Sequence, residues 1–238
     1  VQEFRVESNN YPAEFGTGTG GQVNVVTKSG SNNFRGAVFE YYRDDQFDAP
    51  NYFDSTRNND GSVIQALPKS SLSQHQYGAS LGGPLKPGKA FFFGSYEGYR
   101  LDAGVNFVEA APSASAWARA VPEIQALRGG FVAPAAVPLP GASTSADFDI
   151  YQLQSIEKVR ENSFSTRLDL NISNKWHACG RMFHDAGTHD RPEVISGRVV
   201  RVQSRPTNGV FSLQGEATGL QHDFKIGYNR SEEHTSEL

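Results

Sequence analysis

Gly16, Gly18 and Gly21, inside the run "EFGTGTGGQVNVVTKSG", carry the G-x-G-x-x-G spacing of a turn that cradles a pyrophosphate. That chemistry needs a buried apolar strand before the glycines and a helix opening at the last one, because the phosphates rest on the helix N-terminus. The flanks supply neither. "VESNNYPAEF" is polar and interrupted by Pro12, while "QVNVVTKSG" alternates like a strand and stops in a turn-rich cluster. The glycines read instead as a tight loop that lets backbones approach before a strand.

Other candidates lose their chemistry in the same way. "GASLG" at Gly78 to Gly82 has the G-x-S-x-G spacing of a nucleophile elbow, but that motif needs a strand-to-helix turn and Ser80 lies within a strand pattern. "DSTRNNDG" from Asp54, and the group His184, Asp185, His189 and Asp190, lack the spacing of a metal-ligand set. Glu157 with Glu161, and Asp44 with Asp45, read as solvated loop charges. No Cys/His couple or Ser/His/Asp set sits where a mechanism needs it. The sequence predicts no catalytic residues, no cofactor, no metal and no enzyme activity.

The elements that carry these residues are β-strands. Among 238 residues are 16 Phe, 9 Tyr and 24 Gly, a balance that favours strands and turns. No run approaches the ~20 apolar residues of a spanning helix. The single Cys179 excludes an internal disulfide, and the net charge of -4 gives no footprint for nucleic acid. The chain starts at Val1 without a basic-then-apolar leader, and reads as a piece of something longer.

In "FSTRLDLNIS", Phe164, Thr166, Leu168, Leu170 and Ile172 point one way, and Ser165, Arg167, Asp169, Asn171 and Ser173 the other. "SQHQYGASLGG" and "HDFKIGYN" alternate similarly, and "FRGAVFEYYR", "AFFFGSYEGYR", "WHACGRMFHD" and "GVFSLQG" do so less cleanly, making seven strands. Short turns, "PLKPGK", "SNK" and "EATG", alternate with long connections over about 44–72, 101–162 and 186–209. The second of these holds one helical piece, "SASAWARAVPEIQALRGG", followed by an irregular Pro-rich stretch.

Short turns at one end and long loops at the other are the layout of an outer-membrane barrel. The fold expected is therefore all-β, an antiparallel transmembrane β-barrel of which about seven strands are present. Apolar faces meet lipid, polar faces line the lumen, and Tyr41, Tyr42, Tyr96 and Tyr99 fit an interfacial girdle. A soluble sheet with a greasy core is the competing reading. Leu168, Leu170 and Ile172 decide between them, by facing outward or inward.

"VQEFRVESNNYPAEFGTGTGGQVNVVTKSGSNNFRGAVFEYYRDD", with "NYFD", "QYGASLGGPL" and "AFFFGSYEGYR", resembles the TonB-dependent outer-membrane receptors of the Oar-like group. The resemblance implies that residues 1–32 are the end of a plug domain, whose last turn holds Gly16, Gly18, Gly20 and Gly21. It implies that 33–229 are the N-terminal part of the barrel. It also implies TonB as a partner through a segment before Val1, outer-membrane lipid around the wall, and energy-coupled uptake of a bulky extracellular ligand. Loop aromatics Phe47, Tyr52, Phe53, Trp117 and Tyr151 are the candidate ligand contacts. Residues 230–238, "RSEEHTSEL" from Arg230, break off the strand pattern and read as a non-native tail. Alternatives are a passive porin or adhesive barrel, and a secreted carbohydrate-binding β-sandwich.

Overall fold

The computed structural model describes residues 2–7, 21–52, 55–57, 61–66, 69–143, 145 and 147–237. Gln22–Val26 (β2) pairs antiparallel with Glu3–Glu7 (β1) as a separate two-stranded sheet. Arg35–Asp44 (β3) begins the main sheet. It is followed by a 3-10 turn at Asp45–Phe47 and a small hairpin, Ser55–Arg57 (β4) with Val63–Ala66 (β5). The sheet continues through Leu72–Lys86 (β6), Ala90–Pro112 (β7), Phe148–Asn171 (β9), Trp176–Glu193 (β10), Thr207–Ala217 (β12) and Leu220–Arg230 (β13), each antiparallel to the one before. These are the seven expected strands in the expected order, a meander that does not close.

Turn chemistry sets the short ends. Thr218 and Gly219 both have positive φ, 53° and 76°, the backbone of the two-residue turn whose twist suits a hairpin. Gly88, at φ 69°, turns β6 into β7.

The long connections are shorter than the sequence indicates, because pairing continues where alternation fades. β7 and β9 keep one unbroken register from Ala90↔Leu170 to Pro112↔Phe148, so the loop expected over 101–162 contracts to 113–147. Val105, Phe107, Tyr151 and Leu153 are strong strand formers, and the partner strand satisfies their backbone groups. The single helix expected there is divided into Ala114–Arg119 (α1), Pro122–Gln125 (α2) and Arg128–Phe131 (α3). Pro122 stops the first, and Gly129 and Gly130 lie within the third rather than ending it. The Pro-rich stretch contributes Val137–Ser143 (β8), which pairs β9. Beyond Glu193 the chain turns into Arg198–Ser204 (β11) on β10. Glu233–Glu237 (β14) adds to β11, so the terminal residues extend the sheet rather than leave it.

Large side chains of one strand repeatedly lie over a glycine of its neighbour. Tyr77 covers Gly98, Phe39 covers Gly78 and Trp176 covers Gly215. A Cβ at Gly98 would sit 2.6 Å from the Tyr77 ring, whereas one at Gly94 meets nothing within 4 Å. In the full-length protein Gly98→Val should therefore destabilise the sheet by about 1–3 kcal/mol, the cost of overpacking. Gly94→Val should be neutral, as read from urea midpoints in lipid vesicles.

Candidate functional site: lumen wall and loop cap

Cross-strand partners share a face, so the continuous registers sort the sheet into two surfaces. One carries Val38, Leu81, Tyr96, Phe164, Leu168, Met182, Phe211 and Ile226, all exposed, with the half-buried Phe92 among them. Leu168, Leu170 and Ile172 are 55%, 46% and 56% exposed. The side chains of Arg167 and Asp169, on the other surface, are only 23% and 20% exposed. A soluble sandwich would invert this order, so the apolar surface faces lipid.

The outward apolar stretch runs from Phe164 in β9 to Ile172 just past its end, matching the ~9–11 residues a tilted strand needs to span. Above it on the same surface come Asn162, Arg160 and Lys158. Tyr96 marks the boundary, its hydroxyl donating to Asn162 Oδ1 at 2.8 Å. Tyr77 lies 6.3 Å from Tyr96, and Tyr42 lies 4.6 Å from His75. Tyr42 and Tyr96 belong to this girdle as expected, with Tyr77 added. Tyr41 and Tyr99 fall on the lumen surface, because each is one residue out of phase.

The lumen surface is polar. Gln76 Nε2 donates to Glu97 Oε1 at 2.6 Å, and Ser95, Ser163, Ser165, Ser212 and Lys225 continue the lining. At its turn end Arg167 is gripped by Asp169, with Nη2 to Oδ1 at 2.8 Å, and its Nη1 donates to the carbonyl and hydroxyl of Thr27 at 3.1 and 3.2 Å. Thr27 follows β2 and precedes the first wall strand. Asn32 Oδ1 accepts from Gly88 N at 2.7 Å. The segment entering the barrel is thus fastened to the lumen face of its wall.

The His184 group considered for metal binding does not converge, and Asp54 and residues 58–60 of the other candidate lie outside the described residues. His184 and Asp190 take one surface of β10 and Asp185 and His189 the other. His184 Nδ1 lies 2.7 Å from Thr207 Oγ1, and His189 Nε2 contacts Glu157. Arg201 donates to both Asp190 oxygens, at 2.6 and 2.7 Å. Ser80 sits in β6 opposite Ala37, with no helix after it.

At the loop end, α1–α3 pack on the lumen-side surface of the β7–β9 extension. Ala111, Ala133, Tyr151, Leu153 and Ile195 form a small core there. Ser113 caps α1, its Oγ accepting from Ala116 N at 3.1 Å. Of the loop aromatics, Phe47 and Tyr52 are exposed, and Phe53 lies outside the described residues. Trp117 and Tyr151 are only 6% and 8% exposed and line one cavity of the cap. Phe131 lies 5.7 Å from Trp117. Gly16, Gly18 and Gly20 lie outside the described residues, and Gly21 directly precedes β2. Sequence reading missed Arg167 as a tie to Thr27, since their contact joins residues 140 apart. It also missed Arg128 and Asp149, which line the cap cavity.

An apolar exterior, a polar lumen and an open antiparallel meander define part of a transmembrane β-barrel wall. Residues 26–121 match the outer membrane beta barrel domain family. The TonB-dependent transporter Oar of Myxococcus xanthus is 35% identical over 99 residues, covering 40% of this chain and 9% of that protein. The chain is thus outer-membrane β-barrel sequence of a Gram-negative bacterium, and it resembles the TonB-dependent receptors of the Oar-like group. No solved structure matches it.

Two outcomes follow from the faces and charges. Leu168→Arg should cost the full-length barrel about 2–4 kcal/mol of stability in vesicles, and Ser165→Arg much less, because only the first places a cation in hydrocarbon. Above the membrane, the hydrogen-bonded Arg201 guanidinium holds the Asp190 carboxyl below its usual range, against the opposing effect of burial. A depressed carboxylate stabilises above its unfolded pKa, about 3.9, and that contribution disappears as pH falls through the lower folded value. Corrected amide protection in β11 should therefore drop below about pH 4 in the native protein. In Asp190→Asn it should be low at every pH.

Proposed function

We propose that this chain is the plug end and first wall strands of a TonB-dependent transporter, which takes up a bulky ligand by energy coupling rather than catalysing a reaction. Residues 1–32 are read as plug and 33–229 as barrel. Residues 230–238 are read as a non-native tail, whose pairing uses the free edge that β11 offers any extended segment. Phe47 and Tyr52 at the surface, Trp117 and Tyr151 within the cap, and Phe53 from the same loop sequence are read as the ligand-contacting aromatics.

The observation that carries this reading is the bond from Arg167 to Thr27. A passive pore has no use for a segment fastened across its lumen wall, whereas a plug must rejoin the wall at its own end. The similarity to a TonB-dependent transporter supports the same division. A barrel wide enough for a bulky ligand leaks if empty, which gives the plug its purpose.

In planar bilayers the reconstituted full-length protein should be electrically silent, and it should be retained by immobilised periplasmic domain of TonB. Steady open-channel conductance without TonB retention would establish the passive porin instead.

A further inference from the structure

The cap and the upper β7–β9 ladder enclose a cavity of about 520 Å³, within the ~300–1,000 Å³ range of small-molecule sites. Its wall holds two opposite charges, Arg128 from α3 and Asp149 from β9. Among the described residues, neither side chain has an ion pair or a hydrogen bond. The same cap does form such a pair just outside the cavity, between Arg119 and Asp147. Asp149 is held in place by its ladder position opposite Ala111, and Arg128 by the first turn of α3.

We infer that this cavity binds a short peptide or free amino acid by its two charged ends, an inference that rests on reading the chain as part of an uptake protein. The carboxylate pairs with Arg128 and the ammonium with Asp149, while Trp117, Tyr151, Pro134 and Pro138 enclose the middle. The charge pattern selects this class. An anion alone meets Asp149, a cation alone meets Arg128, and a neutral sugar leaves both charges unmatched. A zwitterion satisfies both, each contact being a charge-assisted hydrogen bond.

Position fits the role as well. Asp149 and Tyr151 share a strand surface with Arg167 and Asp169 through an unbroken register, so the cavity lies on the lumen side of the wall, beyond the membrane.

Calorimetric titration of the full-length protein in detergent with trialanine tests this. One site per chain is expected, with N-acetyl-trialanine amide binding at least tenfold more weakly. Arg128→Gln and Asp149→Asn should each weaken trialanine tenfold or more, and Arg119→Gln should leave it within twofold. Heat-modifiable gel mobility confirms that each variant is folded. Equal binding of the blocked peptide, unchanged affinity in both cavity variants, or no binding at all would overturn the inference. Bilayer silence and TonB retention are read on the same preparations. Loss of trialanine binding with both retained refutes only the ligand class, whereas binding with an open channel refutes the uptake reading.

Discussion

Hydrocarbon offers no hydrogen bonds, so every backbone N–H and C=O crossing it must find a partner in the protein. Between the two edges of the described wall the partner is the adjacent strand, which dictates an antiparallel ladder and with it two unlike surfaces. The exposed Leu168, Leu170 and Ile172, beside the sheltered Arg167 and Asp169, follow directly from that constraint. Little of the apolar surface is gathered into a core. The buried cluster around Tyr151 and Leu153 belongs to the cap, beyond the membrane, where water restores the ordinary reason to hide greasy side chains.

The same ladder gives the lumen its attachment points. Because Arg167 is set by the pleat to face inward, and Asp169 two residues on faces with it, a charged grip is available without any loop to build it. Thr27 meets that grip through its carbonyl and its hydroxyl, so most side chains at position 27 would preserve half of the contact. The charged grip costs little here, since a wet or plug-filled lumen solvates it far better than lipid would.

Period-2 alternation made the seven wall strands legible, and Gly88 and Gly219 marked two of their three short turns, because both signals are local. What stayed hidden depends on partners far along the chain. The continuation of β7 through Val105 and Phe107 depends on pairing with Ser155 and Leu153, far along the chain, and no window of local sequence contains both sides. Tyr41 and Tyr99 were placed in the girdle by residue type, yet the pleat assigns them to the opposite surface. The glycine run could be separated from a nucleotide loop by its flanks. Nothing nearby indicated that Arg167 would reach the segment following it. In the cap, Pro122 divided a helix that composition alone joins, and the division brings Arg128 over the strand that carries Asp149.

The β7–β9 hairpin has a mechanical consequence of its own. From Phe164 to Phe148 it rises about 50 Å along the strand beyond the lipid boundary, at ~3.3 Å per residue. A ribbon rooted in the bilayer and carrying its cap at the far end behaves as a cantilever. A slight change of tilt at the root is multiplied at the tip, so any rearrangement of the lumen that presses on the wall would be felt most strongly where the cap sits.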